Sequence, residues 1–236
     1  MEKKSLGVLG GMGPMATSVF FEQVIENTVA DSDQDHINMV ILNHATLPDR
    51  TDVILNNTGD TFLKPIKKDI QTLENIGVAN IAIPCNTSHY FYHEMQQSTD
   101  INIINMVGET IKEIARKYGE NSKIGLLATK GTIESGIYHS ECNKYNMEMY
   151  TPNDTIQKKV MDIIYGIKSG IDLRADAFEA IIEDLIFNEK CDCVILACTE
   201  LSTITLRKDI KKYSVDAMEV LVQRSIKLSG GTLKDR

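Results

Sequence analysis

The sequence predicts an α/β fold of two similar lobes, each a mainly parallel sheet flanked by helices. Three observations carry that expectation. Short β-branched runs alternate with longer amphipathic stretches along the chain. The runs (GVL, MVIL, IAI, IGLL, CVILA) are almost continuously apolar, as strands buried on both faces must be. The chain also echoes itself: LGVLGGMGPMAT near the start is matched by KIGLLATKGTIES from Lys123, and IAIPCNTSH around Cys85 by VILACTELS around Cys198. The offsets are similar, 118 residues from Gly7 to Gly125 and 113 from Cys85 to Cys198, and the order is the same.

Taken in order, a strand over residues 5–10 ends in a glycine turn, where Pro14 suits the start of a helix over 15–29. A strand over 38–43 and an amphipathic helix over 61–76 follow. The strand over 80–84 is ended by Pro84, and Asn86 or Thr87 can cap a helix over 87–97. A strand over 101–104 and a helix over 107–117 come next, then strands over 123–128 and 148–150. Asp154 and Thr155 before a helix to residue 168, and Gly170 after it, are ordinary cap signals. A helix over 174–187, a strand over 192–197 and a helix over 217–228 complete the series. The expected lobes are residues 1–106 and 107–211, with residues 212–236 returning to cover the first.

Composition narrows the function. Among 236 residues, 25 Lys+Arg against 33 Asp+Glu give a charge of −8, and no basic blocks stand out, so a nucleic-acid partner is not expected. No run approaches the ~20 apolar residues of a membrane span, and MEKKSLGVLGG lacks the apolar core of a secretion signal. Five scattered cysteines, an odd number, fit a reducing cytoplasm, where each is core filler, metal ligand or nucleophile.

Cys85 and Cys198 stand apart because both follow a buried strand directly and precede an expected helix start. Open α/β sheets place ligands at the C-terminal ends of their strands. A helix N-terminus there would bind anions and lower a thiol pKa from about 8.5 toward neutrality. The plain alternative is inert packing, since free cysteine is among the most buried residue types. Cys142, Cys191 and Cys193 are read that way, a lone C-x-C being a weak zinc signal.

LGVLGGMGPMAT, CNTSH and CTE, in that order and at that spacing, resemble the aspartate/glutamate racemase family, the aspartate racemases most closely. The resemblance runs nearly the whole chain. It implies two pseudo-twofold-related α/β domains facing each other across a cleft, no pyridoxal phosphate or metal, and a homodimer acting on a small amino acid. It further implies that Cys85 and Cys198 are the two acid/bases. The chemistry fits: one group removes the α-hydrogen from one face of the carbon while its opposite number returns a proton to the other. The carbanion's charge spreads into the α-carboxylate, for which Asn86, Thr87, Thr129, Thr132 and Thr199 are expected donors. Arg50 and Lys168 are expected to hold a second carboxylate, which favours aspartate. On their own, Arg50 would default to a surface ion pair with Asp49 or Asp52, and Lys168 to a solvated lysine at a helix end. Glu200 would orient a thiol or the substrate ammonium, and Met12 belongs to the glycine turn that lines the family's cleft. Ala197 departs from the family's usual glycine before the second cysteine but is still small.

Other patterns are weaker. Gly11–Ala16 fits a relaxed G-x-G-x-x-A dinucleotide turn, motivating an NAD(P)-dependent oxidoreductase, but the next strand ends in Asn43-His44 without the acid that grips a ribose. His89 and His93 have metal-ligand spacing without a third ligand, and Asp31, Asp33 and Asp35 lack the glycine and glutamate of a calcium loop. The remaining alternatives are a glutamate or broad-specificity racemase of the same superfamily and an amino-acid-binding sensor without turnover.

Overall fold

In the computed structural model, which describes residues 3–171 and 175–235, the internal echo becomes a repeated topology. The first half runs β1 (Leu6–Gly10), α1 (Pro14–Asn27), β2 (Met39–Asn43), α2 (Arg50–Leu55), α3 (Asp60–Ile76), β3 (Asn80–Ala82), α4 (Tyr92–Gln96), β4 (Asn102–Ile103) and α5 (Met106–Tyr118). The second runs β5 (Lys123–Ala128), α6 (Lys130–Glu134), α7 (Ile137–Asn143), β6 (Glu148–Tyr150), α8 (Asp154–Lys168), α9 (Ala175–Glu183), β7 (Cys193–Ala197), α10 (Lys208–Lys211), β8 (Ser214–Asp216) and α11 (Ala217–Leu228). Among the described residues these strands make two four-stranded, all-parallel sheets, ordered β2-β1-β3-β4 and β6-β5-β7-β8. β1 and β5, and β3 and β7, hold equivalent places, so Cys85 and Cys198 leave equivalent inner strands.

The expected strands are all present, those over 123–128 and 148–150 with the expected bounds and the other five with trimmed ends. β3 stops at Ala82, short of Pro84, which has no N–H for a ladder. The continuous helix expected over 87–97 is instead a 3₁₀ turn (Thr87–Phe91) followed by the short α4. The cause is local. The Cys85 carbonyl, which an α-helix would offer to the His89 N–H, accepts from Ser88 Oγ and His89 Nδ1, both at 2.8 Å. The His89 N–H turns to Asn86 O at 3.0 Å instead. The helix expected from residue 174 begins outside the described residues; from Ala175 it runs to Glu183 and continues as a π-helical turn over Asp184–Asn188. The helices α2, α6, α7 and α10 and the strand β8 were not expected; each is seven residues or fewer, too short for a period to declare itself.

Each sheet is packed on both faces. On one face of the first, α3 contributes Phe62, Ile66, Ile70 and Leu73; on the other, α1 and α11 contribute Phe20, Val24, Met218, Leu221 and Ile226. The second is covered by α8 and α9 on one face. On its other face lie α7 and α5, with Val107, Ile111 and Ile114 against Ile124, Leu126 and Ile195. Thus α5, which follows the first sheet's last strand, covers the second sheet, and α11, which follows β8 of the second, covers the first. The return anticipated after residue 211 starts at Ala217, since Ser214–Asp216 still pairs with β7.

Candidate active site

The C-terminal ends of the inner strands of both sheets face one narrow cleft. Its wall includes Met12 from the turn after β1, Asp49, Arg50 and Thr51 at the start of α2, and Cys85, Asn86 and Thr87 after β3. From the second half come Thr129, Lys168, Ala197, Cys198, Thr199 and Glu200. Every residue expected at the site is therefore gathered there except Thr132, which is fully buried behind the wall. Thr132 closes a triangle of hydroxyls across the lobes: its Oγ1 is 2.8 Å from that of Thr87 and 3.1 Å from that of Thr129, and those two are 3.1 Å apart.

The glycine turn is dictated sterically. Gly11 has φ +93°, and a Cβ on it would stand 2.4 Å from the His44 carbonyl carbon. Its N–H donates to Thr17 Oγ1 at 2.9 Å, which ties the turn to α1.

Arg50 does not lie in a loop making a surface ion pair. It opens α2, whose cap is Asp49, with Oδ1 accepting from the N–H groups of Thr51 and Asp52 at 2.8 and 3.2 Å. The Arg50 side chain is buried and makes no ion pair among the described residues. Its Nη1 donates to Pro48 O at 2.8 Å, and its Nε has no partner. Asn86 is 3% exposed, accepts at Oδ1 from Tyr138 Oη at 2.5 Å, and likewise leaves Nδ2 without a partner. Buried donors are almost always satisfied, and these two unpartnered ones belong to residues of one cavity wall.

The thiol electrostatics correct an expectation. The segments after the cysteines are 3₁₀ turns, Thr87–Phe91 and Leu201–Thr203, not α-helix N-termini. The Cys198 pKa is raised well above its ordinary value rather than lowered: burial is the larger cause, and the adjacent Glu200 carboxylate, which accepts from Sγ at 2.9 Å, adds to it. Cys198 therefore stands as a thiol. At the mouth of the cavity, burial works to lower the Lys168 pKa, but the acidic groups around it, Glu200 foremost, outweigh it and hold the ammonium charged. Behind Cys85, His89 is buried and its pKa is lowered by desolvation. It donates through Nδ1 to Cys85 O, and Nε2 accepts from the Met106 N–H at 3.1 Å. Both nitrogens are thus engaged with backbone, and among the described residues no three His, Cys, Asp or Glu gather as a metal site. The sequence pattern gave no sign of His89 or Tyr138 as supports of the site. Asp49 was visible only as a neighbour of Arg50.

Two parallel-sheet lobes with a strand-end cysteine from each on one cavity define a class of two-lobed α/β proteins with paired thiols. The Asp/Glu/hydantoin racemase family matches residues 9–224, and the chain belongs to that family. Over 205 residues it is 33% identical to the broad specificity amino-acid racemase RacX of Bacillus subtilis (strain 168), covering 84% of this chain and 86% of that one. Picrophilus torridus aspartate racemase superposes with a TM-score of 0.82 at 32% identity, covering 98% of this chain and 96% of that one. Glutamate racemase from Campylobacter jejuni subsp. jejuni superposes at 0.67 with 17% identity over 98% and 88%, a likeness of fold. Among the described residues no helix is long and apolar enough to cross a membrane.

Proposed function

We propose that this chain is an amino acid racemase that interconverts L- and D-aspartate by two-base proton transfer between Cys85 and Cys198, without pyridoxal phosphate or metal. The observation that carries it is the pair of cysteines from equivalent strands on one cavity that also presents two unpartnered buried donors, Arg50 Nε and Asn86 Nδ2. In this reading the α-carboxylate is received by Asn86, Thr87, Thr129 and Thr199. Arg50 and Lys168 hold the second carboxylate, and Glu200 faces the ammonium. Preset donors matter because a thiolate alone is too weak a base for an amino acid α-carbon, and the enolate-like charge must be stabilised as it forms. Cys85 takes the α-proton while Cys198, already a thiol beside Glu200, delivers one from the other face. The opposite enantiomer starts from the exchanged protonation state. Lys168, held charged, is in the wrong state to form a Schiff base, which supports chemistry carried by thiols.

Incubation with L-aspartate in D₂O should give α-deuterated D-aspartate; retention of all α-hydrogen at high enzyme concentration would overturn the proposal. Replacing either cysteine with alanine should lower racemisation of both enantiomers by about 10²–10⁴-fold, the usual share of a positioned acid or base. A homodimer located in the cytoplasm goes with this reading, and sedimentation tests the dimer.

The identity to a broad-specificity racemase favours one second reading, a wider substrate range. A panel of exchange rates decides: faster exchange of neutral amino acids than of aspartate would remove the role given to Arg50 and Lys168. A dinucleotide at the glycine turn fits poorly. A Cβ on Gly13 would lie 3.6 Å from Glu200 Oε1, so a phosphate there would meet a carboxylate.

A further inference from the structure

We infer that Tyr138, outside the cavity wall, is a positioning residue that fixes the amide of Asn86 across the lobe seam so that its Nδ2 faces the substrate carboxylate. The inference rests on the proposed aspartate site. Tyr138 belongs to α7 of the second half, is fully buried, and packs in the core that α5 and β5 share. Its hydroxyl nevertheless reaches Asn86 Oδ1 of the first half at 2.5 Å. Burial pushes the Tyr138 pKa far up, so the hydroxyl keeps its proton and donates.

An amide presents two faces of similar shape and opposite polarity, and only one suits an anion. With Oδ1 engaged by Tyr138, the NH₂ end of the amide is left without a protein partner, on a residue that lines the cavity. A rotated amide would aim a carbonyl oxygen at a carboxylate. The tyrosine thus acts on polarity at a distance of one side chain, and it does so only while the two halves hold their register, which the Thr87–Thr129–Thr132 triangle also spans.

The test is a double-mutant cycle of Tyr138→Phe and Asn86→Ala, read by calorimetric Kd for L-aspartate and by KM and kcat for both enantiomers. Phenylalanine keeps the ring in its core and removes the hydroxyl, which also hydrogen-bonds with Thr110, so the Asn86→Ala background separates the two contacts. The single Tyr138→Phe change should raise Kd about tenfold, the scale of one hydrogen bond to a charged acceptor, and should lower kcat as well, because the same amide meets the charge that develops on the carboxylate. In the Asn86→Ala background the same change should add nothing, because its effect passes through the amide. Additive losses, or an unchanged Kd for aspartate, would overturn the inference while leaving the racemase reading intact. Coupled Kd values in a protein that exchanges no α-hydrogen would support the inference and remove the racemase reading. Failure of the wild-type protein to bind aspartate would remove both.

Discussion

Cys198 donates to Glu200 at 2.9 Å, and under the proposed mechanism that pair should set how the rate depends on pH. Burial comes first and Glu200 second in raising this thiol, with Lys168 opposing them. Replacing Glu200 by glutamine removes the carboxylate, so the Cys198 pKa should come down. The basic limb of the pH–rate profile, along which an acid thiol is lost, should then move to lower pH. A direct ultraviolet titration of the thiolate in the Cys85→Ala background checks the same shift, and an unmoved limb would separate Glu200 from the thiol. His89 gives a stability counterpart. Its folded pKa lies below the ordinary 6.5, so the neutral form is the one the fold accepts. Its contribution is present above pH 6.5 and is lost as pH falls toward the folded pKa. Urea unfolding should show stability declining over that window, and His89→Asn should flatten the decline. At this scale the two cysteines were legible because each stands at the end of an apolar run and repeats the other. Arg50 was legible as an arginine beside two aspartates in an acidic chain, though not that it is buried. Tyr138 was not legible at all, since its partner lies 52 positions away and nothing local marks it.

Helices α2 and α6 meet across the lobes at Gly131, where a Cβ would stand 2.8 Å from the Thr51 Cα. That atom is backbone and cannot swing aside. Gly131→Ala should therefore separate α2 from α6, moving Arg50 and Thr51 away from the opposite wall. The expected result is a raised KM for aspartate and a loss of about 1–3 kcal/mol of stability, as overpacking usually costs. Unchanged KM would mean that the strain is absorbed elsewhere. The long elements were readable from periodicity and apolar runs, and their ends from Pro84 and Gly170. The short helices were not, because their stability comes from tertiary contact. The 3₁₀ turn after Cys85 was misread as α-helix because side-chain competition for one carbonyl leaves no trace in a hydrophobic pattern.

Over the whole molecule the exchanged helices tie the halves together. α5 supplies Val107, Ile111 and Ile114 to the second sheet, and α11 supplies Met218, Leu221 and Ile226 to the first. Neither half keeps a closed core without the other. Fragments 1–106 and 107–236 should thus be unfolded separately by circular dichroism, and the intact chain should unfold in one transition by fluorescence and circular dichroism alike. Two resolved transitions would contradict this. The same exchange sets a schedule for the nascent chain. The first sheet has its four strands once Ile103 is made, but its covering helix begins only at Ala217. At ~5–20 residues per second, one apolar face waits several seconds on the ribosome for its lid, so the earliest-made half is the last to become safe from aggregation.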